Sequence, residues 1–373
     1  MTGTITRRGK KSWRLKYDLP RDETGQRRLA YATVRGTRQD AERELRAKLT
    51  SLDGGMHVDP SRETLGEYLT YWLENVAPLR ASPVTLRGYD IKIRNQILPH
   101  LGDIKLQKLD LTDITAWQNK LISSGGLSQR TVHHAHITLN TALTFAVKAK
   151  KVPRNVARDA GPPKIEDYEI SIWAKEEVAG ALKKIEGISI YPLALFAFGT
   201  GARRGEICAL TWGDIDLDGA TVEIRRSLEQ TKGGLRVKPP KTRNGIRTVA
   251  LPAAVVSVLR KHKLKAMEDR LACGLGALPA DAPVFGDLEG NWPNPYSVSD
   301  RWRNAVKNHK LPKITFHALR HCHAAVLIDS GLDIMAVSRQ LGHAKPGFTL
   351  NRYGHLYGNK SAKAADAIDA VFS

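Results

Sequence analysis

Residues 62–152 constrain the fold most, because they carry helix start and stop signals in regular succession. Thr64 and Glu67 form a capping box before an apolar run, and Ser82 precedes Pro83, which suits the first position of a helix. Two longer segments follow, TDITAWQNKLIS and SQRTVHHAHITLNTALTFAVKAK, and in the second the apolar residues recur at the helical period. We therefore predict four helices that form one module.

Segments of different character flank this helical module. Residues 1–55 contain two stretches that alternate apolar and polar residues, SWRLKYDLP and QRRLAYATVRG, followed by an amphipathic helix, which predicts a small sheet with one helix. Residues 153–171 combine prolines with Gly161 and lack periodicity, so we predict an interdomain linker. Residues 172–373 are predicted to form helices, a small antiparallel sheet and further helices. The expected fold class is mainly α with small antiparallel β-sheets (α+β), arranged in three domains.

The charge of the chain indicates a polyanionic partner. Its 373 residues include 58 Lys and Arg against 38 Asp and Glu, a formal net charge of +20. Basic side chains that neutralise phosphates release condensed counterions, which drives sequence-independent binding to nucleic acid. A solvated basic face without this role is the alternative. Basic residues of the first segment and of the helical module are predicted to contact DNA: Arg7, Arg8, Lys10, Lys11, Arg14, Lys16, Arg87, Arg94 and Arg130.

Membrane and metal-binding classes fit the sequence poorly. No apolar run approaches the ~18 residues of a membrane span, and the N-terminus lacks the apolar core of a signal peptide. We therefore expect a soluble, cytoplasmic protein with no membrane partner. The cysteines form no CxxC pair, so neither a disulfide framework nor a zinc site is indicated. Clustered histidines have no Cys or acid to complete a metal site and are expected at the surface or facing DNA: His133, His134 and His136.

Two distant segments carry groups that suit a bound phosphate. In TGARRGEICALTWGDID, Arg203 lies one helical turn before Glu206, so the carboxylate can hold a guanidinium fork that contacts phosphate oxygens. In TFHALRHCHA, His317 and Arg320 are three residues apart and share one helix face. An Arg–Glu pair alone is usually a surface salt bridge; the second segment is what favours an anion site.

Tyr353 is the candidate nucleophile, and Lys241 is the candidate donor to a leaving oxygen. A phenol with its ordinary pKa near ~10 attacks only where positive charge or a base lowers the cost of losing its proton. Lys241 lies in the turn PPKTRNG between two strand-like segments, with Lys232, Lys238 and Arg243 as alternatives nearby. On its own, either residue would be interpreted as a solvent-exposed structural residue.

Taken together, these segments resemble the tyrosine recombinases, and within them the phage integrases of the lambda type. The matching pieces are TGARRGEICALTWGDID, PKT, HALRHCHA, LGH and TLNRYGHL, and they follow the family's order over residues 172–356. The resemblance implies a mixed catalytic domain of the DNA breaking-rejoining enzyme fold at 172–373. It also implies an arm-type DNA-binding domain at 1–55 and a helical core-binding domain at 62–152.

The resemblance further implies roles for individual residues. Those that look like the family's catalytic groups are Arg203, Lys241, His317, Arg320, His343 and Tyr353. Tyr353 resembles the nucleophile that forms a 3′-phosphotyrosine bond, and Lys241 is similar to the β-hairpin lysine that protonates the leaving 5′-oxygen. Glu206 looks like the acidic residue that supports the site. Further histidines match family positions and are expected to serve packing or orientation: His321, His323 and His355.

The implied function is site-specific recombination that integrates or excises a phage or other mobile element in a bacterial host, at the nucleoid. No cofactor is expected, because positive side chains stabilise the transition state without Mg²⁺ and the covalent intermediate conserves the phosphodiester energy without ATP. The implied partners are double-stranded DNA with core and arm attachment sites, a homotetramer joined through the tail SAKAADAIDAVFS, a host DNA-bending protein and a directionality factor. The alternatives are a plasmid or chromosome resolvase, a relaxing topoisomerase, and a non-catalytic DNA-binding protein of the same fold.

Overall fold

The chain forms two compact units, Met1–Asp167 and Tyr168–Ser373. A computed structural model describes residues 3–19, 25–53, 58–165, 172–231, 233–240 and 243–357, with residues 369 and 372. The tail that was expected to form a helix at residues 361–373 therefore lies almost wholly outside the described residues. No helix among the described ranges is long and apolar enough to cross a membrane.

The first unit begins with an antiparallel sheet in the order β1-β2-β3, covered by helix α1. Its elements are β1 (Gly3–Gly9), β2 (Ser12–Leu19), β3 (Arg28–Arg35) and α1 (Arg38–Asp53). Leu15 on β2 and Leu45 on α1 belong to the small core between them. The two predicted strands and the helix are confirmed. Strand β1 was not predicted, because GTITRRG contains a single strongly apolar residue, Ile5.

The helical module follows, and its four predicted helices are confirmed. The helices are α2 (Leu65–Tyr71), α3 (Pro83–Lys92), α4 (Leu98–Leu101), α5 (Leu111–Ser123), α6 (Gln129–Lys148) and α7 (Val156–Ala160). The capping box of Thr64 with Glu67 forms as the sequence indicates, and the Ser82 hydroxyl accepts from the backbone of Thr85. The first two predicted helices each continue through a wider π-helical turn, Trp72–Val76 and Ile93–Ile97.

Two features of this module differ from the sequence-based expectation. His136 is 1% exposed and its Nδ1 lies 2.8 Å from the Gln118 amide, so the prediction that it lies at the surface is wrong. Burial lowers the pKa of His136 to about 4, which keeps it neutral. The segment expected to be a linker begins with helix α7, whose Val156 and Ala157 are buried in the module's core. Asn155 caps this helix, so regular structure continues to Ala160.

The second unit alternates helices and short strands in the predicted order. Its helices are α8 (Lys175–Lys184), α9 (Tyr191–Thr200), α10 (Arg204–Cys208), α11 (Ala253–Ala272), α12 (Pro295–Asn308), α13 (Ala318–Asp329), α14 (Ile334–Leu341) and α15 (Pro346–Tyr353). Its strands are β4 (Ile215–Asp216), β5 (Thr221–Ile224), β6 (Ser227–Thr231), β7 (Gly234–Lys238) and β8 (Arg247–Ala250). The apolar helix α9 lies in the core of this unit, against α13 and α11.

The strands of the second unit pair in two groups, and this corrects one expectation. Strands β4, β5 and β8 form one antiparallel sheet, whereas β6 and β7 form a separate hairpin that closes between Thr231 and Gly234. The turn that carries Lys241 connects β7 to β8, which belong to different sheets, so the prediction of a β-hairpin at Lys241 is wrong. Strand pairing depends on long-range packing that the strand pattern does not contain. Lys241 itself lies outside the described residues.

Candidate active site

Arg203 is placed by a tight turn at the end of α9. Gly201 ends that helix with a left-handed φ of 63°, and a Cβ at this position would lie 2.5 Å from the His323 ring. The chain then enters α10 at Arg203, whose backbone N–H donates to Glu206 Oε2 at 2.9 Å. The Arg203 guanidinium also donates to Glu206 Oε1 at 2.7 Å. The guanidinium is therefore oriented by a carboxylate one turn later.

Glu206 is a buried carboxylate held between two arginines. It is 3% exposed, and its second guanidinium partner is Arg247, whose Nη2 lies 2.9 Å from Oε2. Burial alone would raise the pKa of Glu206, but the charge and hydrogen bond of Arg247, followed by those of Arg203, outweigh it and lower the pKa. Glu206 therefore remains ionised at neutral pH and holds both guanidinium groups.

Arg320 lies on α13, one position before His321. It is 3% exposed and donates to the carbonyl oxygens of Gly201 at 2.6 Å and Leu341 at 2.7 Å. Burial and then the charge of Arg203 lower the pKa of Arg320 to about 9, so it stays charged at neutral pH. His317 immediately precedes α13 and remains accessible, although partial burial and the charge of Arg320 lower its pKa.

Three guanidinium groups converge on the carboxyl end of α14. Arg247 donates to the Gln340 carbonyl at 2.9 Å, Arg320 to that of Leu341, and Arg203 to that of Gly342 at 3.1 Å. The last carbonyls of a helix have no partner within the helix and carry its negative dipole end, which favours cations. We call this end, residues 340–342, the carbonyl comb. It brings together Arg203, which immediately precedes α10, Arg247 of β8 and Arg320 of α13.

His343 follows the carbonyl comb directly and is 8% exposed. Its Nδ1 lies 2.7 Å from the Thr349 hydroxyl, and its ring meets Phe348 edge-on at a centroid distance of 4.9 Å. Burial and then the charge of Arg320 lower the pKa of His343 to about 3, so the ring is neutral. The contact with Thr349 fixes the ring and leaves Nε2 on its opposite side.

Tyr353 ends α15 and is buried, with 1% exposure. Its hydroxyl lies 2.5 Å from Nδ1 of His321, which stacks edge-on against His317 at 5.1 Å. Burial raises the pKa of Tyr353 to about 12, although Arg320 acts in the opposite direction. Burial also lowers the pKa of His321 to about 4, so its ring is neutral, and in the tautomer that carries the proton on Nε2 its Nδ1 accepts a hydrogen bond from the phenol.

The structure brings most of the predicted catalytic residues into one network. Arg203 and Arg320 meet at the carbonyl comb, Glu206 holds Arg203, and His343 follows the comb in the chain. Tyr353 is hydrogen-bonded to His321, the residue after Arg320, and lies within reach of the charge of Arg320. These contacts join residues up to 139 positions apart. Lys241 and the His355 side chain lie outside what the structure describes. Of the alternatives to Lys241, Lys238 is ion-paired with Glu229, Lys232 lies outside the described residues, and the Arg243 side chain is likewise not described.

Arg247 and Thr349 were missed by the sequence reasoning. Arg247 begins a strand-like segment, and Thr349 lies in a short helix, so neither position carried a local signal of its role. Within the described ranges, no group of His, Cys, Asp or Glu side chains is arranged to hold a metal ion.

The residues predicted to contact DNA are mostly exposed and remain predictions. Arg14 is half-buried and lies over the Tyr31 ring at 4.2 Å, on the face of the sheet opposite α1. Arg94 is exposed but pairs with Asp90 at 2.6 Å. The others are exposed: Arg7, Arg8, Lys10, Lys11, Lys16, Arg87 and Arg130.

A buried tyrosine that is hydrogen-bonded to a histidine and lies near a cluster of arginines, in a helical unit with small sheets, is the arrangement expected of a tyrosine recombinase. The family model for the phage integrase family matches residues 174–360, and the model for the N-terminal SAM-like domain of phage integrases matches residues 64–122. The first match spans half of the chain, so the chain belongs to the phage integrase family. It is a site-specific recombinase, as the sequence predicted.

Known relatives and solved structures agree with this assignment. The chain is 28% identical to a XerC-like tyrosine recombinase of Caldanaerobacter subterraneus, over 98% of this chain and 97% of that protein. It is 27% identical to an integrase of Streptomyces ambofaciens, over 96% and 93% of the two chains. The Tn1549 transposon integrase bound to a circular intermediate DNA has a TM-score of 0.69 at 20% identity, over 83% of this chain and all of that one, 100%. The lambda integrase tetramer on a Holliday junction has a TM-score of 0.57 at 19% identity, over 92% and 94%. The predicted fold class is confirmed.

Proposed function

We propose that this recombinase integrates or excises a phage or other mobile element by attack of Tyr353 on a DNA phosphate. The observation that carries the proposal is the convergence of Arg203 and Arg320 on the carbonyl comb, with the Tyr353 hydroxyl close enough for the charge of Arg320 to act on it. Each guanidinium has five N–H donors. The bonds to Glu206, Gly342, Gly201 and Leu341 leave donors on both side chains for the oxygens of a phosphate.

The reaction exchanges one phosphoester bond for another. The Tyr353 oxygen forms a bond to the phosphorus while the bond to the 5′-oxygen breaks, which leaves a 3′-phosphotyrosine and a 5′-hydroxyl. Arg203 and Arg320 stabilise the negative charge that develops on the nonbridging oxygens. Lys241 supplies the proton that the leaving 5′-oxygen takes up. Attack by the 5′-hydroxyl of a partner strand reverses these steps and joins the exchanged strands.

Burial disfavours ionisation of Tyr353 before it attacks. A pKa of about 12 lies five units above neutral pH, and at about 1.36 kcal/mol per unit this amounts to about 7 kcal/mol for free ionisation. Proton loss that accompanies bond formation avoids this cost. The hydrogen bond to the neutral His321 ring gives the phenolic proton an acceptor, and the nearby charge of Arg320 favours the phenolate.

The remaining segments serve DNA binding and assembly in this proposal. Residues 1–55 bind arm sites, 62–152 with α7 bind the core site, 161–171 link the units, and 172–373 carry out the reaction. The exposed basic side chains of the first sheet and of α3 and α6 support contact with double-stranded DNA. We extend the proposal to a homotetramer joined by the tail, with a host DNA-bending protein and a directionality factor. The site of action is then the cytoplasmic nucleoid of a bacterial host.

The test is covalent capture on a nicked DNA substrate. The host DNA that flanks the gene is sequenced to find the attachment site, and a substrate nicked near the crossover point is incubated with the protein. Wild type should form a covalent complex, whereas Tyr353→Phe should form none while it still binds the DNA. Tyr71→Phe is the matched control, because Tyr71 is exposed on the helical module and should react normally. A covalent complex with Tyr353→Phe would refute the assigned nucleophile.

A further inference from the structure

Arg247 is a buried arginine, and each of its three guanidinium nitrogens donates a hydrogen bond to the protein itself. Its side chain is 8% exposed at the start of β8. It donates through Nη2 to Glu206 at 2.9 Å, through Nε to the Gln340 carbonyl at 2.9 Å, and through Nη1 to the Gly245 carbonyl at 3.1 Å. Arg320 is held through its two Nη atoms, whereas Arg247 is held through all three nitrogens and has less freedom to turn toward DNA. We therefore assign its effect on the reaction to its partners.

Those partners close a ring around the site. Glu206 holds Arg203, Arg203 donates to the Gly342 carbonyl, and the chain runs back from Gly342 to Gln340, which Arg247 holds. A Cβ at Gly342 would lie 2.8 Å from Nη1 of Arg247, so the backbone and this guanidinium are already in close contact. Arg247 therefore determines the distance between the carboxylate that orients Arg203 and the helix end that receives it.

The charges in the ring explain why the position of Arg247 affects Arg203. Arg247 is the strongest of the influences that keep Glu206 ionised in its buried position, ahead of Arg203. Without Arg247, the carboxylate would keep Arg203 as its guanidinium partner and would be drawn toward it. Arg203 would then be held by Glu206 at the expense of its contact with Gly342 and with a phosphate.

We propose that Arg247 is a positioning residue for the phosphate site, and that it acts through Glu206 and the carbonyl comb on Arg203. This inference rests on the proposed function, since it concerns the same phosphate site. It adds a third arginine that never touches the reacting atoms. Partners of this kind around metal ligands change activity by about 10- to 100-fold when replaced, and we expect a rate loss of that size here.

The first experiment measures cleavage in a single turnover with the full-length protein on the nicked substrate. Arg247→Met keeps the length of the side chain and removes its donors. The rate of covalent complex formation should fall by about 10- to 100-fold, while DNA affinity stays near that of wild type. Combining Arg247→Met with Glu206→Gln should add little further loss, because residues that act as a unit are not additive. If the rate losses of the two single variants multiply in the double variant, Arg247 and Glu206 do not act as one unit and the proposed ring is refuted.

The second experiment separates positioning of Arg203 from a general structural role. A substrate with a methylphosphonate at the scissile position lacks one negative oxygen and needs less help from a guanidinium. The rate loss of Arg247→Met should shrink on this substrate, as that of Arg203→Ala should. Arg226→Met serves as the control, because Arg226 pairs with the buried Asp214 outside the ring. It should react at the wild-type rate on both substrates.

The outcomes distinguish this inference from the proposed function. If wild type forms no covalent complex, the proposed function fails and the inference fails with it. If wild type reacts and Arg247→Met reacts equally fast, only the inference fails. An equal loss on phosphate and methylphosphonate would also overturn it, because Arg247 would then act on the fold or on Tyr353 and not on Arg203.

Discussion

Replacing Glu206 by glutamine tests how much the buried ion network stabilises the second unit. Glutamine keeps the shape of the side chain but removes the charge that two guanidinium groups share. Glu206 is 3% and Arg247 8% exposed, so this pair is buried, whereas the Arg203 side chain is 39% exposed. Breaking a buried pair on one side destabilises a protein by about 3–5 kcal/mol. The amide oxygen still accepts one hydrogen bond, so we expect the lower end, about 3 kcal/mol.

This free energy converts into a measurable shift of the unfolding temperature. The unfolding temperature of a domain of about 150–250 residues falls by about 2–4 °C for each kcal/mol of stability that is lost. The transition of the second unit should therefore move down by about 6–12 °C. Calorimetry of the full chain measures this shift, and hydrogen exchange in residues 203–250 assigns it to the second unit. The control is Glu223→Gln, an exposed carboxylate 3.3 Å from Arg225, which should change stability by less than about 1 kcal/mol.

The same variant predicts a pH dependence. The pKa of Glu206 is lowered in the folded protein, so its contribution to stability is present above the unfolded pKa and is lost as pH falls through the folded value. The difference between wild type and Glu206→Gln should therefore be largest at neutral pH and should narrow in acid, where wild type is also protonated. A difference that stays constant down to the lowest pH at which the protein folds, or equal shifts in both glutamine variants, would refute the reasoning.

Two further substitutions probe the surroundings of the site. Gly342→Ala places a Cβ 2.8 Å from Arg247 at a φ of 66°, so the cleavage rate and the unfolding temperature should both fall. The control is Gly347→Ala, whose Cβ meets nothing within 4 Å and which should be nearly neutral. Equal behaviour of the two variants would contradict the geometry. His321→Phe leaves the buried Tyr353 hydroxyl without its acceptor, which costs about 1–3 kcal/mol and should speed hydrogen exchange in α15. Unchanged exchange there would show that the hydrogen bond does not hold α15.

Local signals predicted the helices well, because helix capping involves neighbours in sequence. Thr64 with Glu67 is such a case, and both reciprocal bonds form. For His136, the local sequence contained the signal for burial, but the prediction did not use it. It lies at the helical period of Val132 and Leu139, which are buried, so its burial followed from the apolar spacing of α6. The prediction weighed its chemistry and neglected its position on the helix.

The site was predictable only where a motif matched. Arg203, Arg320 and Tyr353 were identified by their surroundings in sequence and by resemblance. The part played by Arg247 depends on contacts 41 and 93 positions away, and no local pattern contains them. The separate pairing of β7 and β8 was missed for the same reason, since each strand is compatible with more than one neighbour.

The carbonyl comb has a consequence for how the family's sequences can vary. The groups that receive the three arginines are peptide carbonyls, and every amino acid supplies the same carbonyl. The side chains of Gln340 and Leu341 are therefore not what the guanidinium groups recognise, whereas Gly342 is constrained by its left-handed backbone conformation and by the close approach of Arg247. At these positions the site depends on the backbone conformation and not on the side chains. The side chain of residue 340 can therefore change, and make contacts with new partners or new DNA, without altering the chemistry.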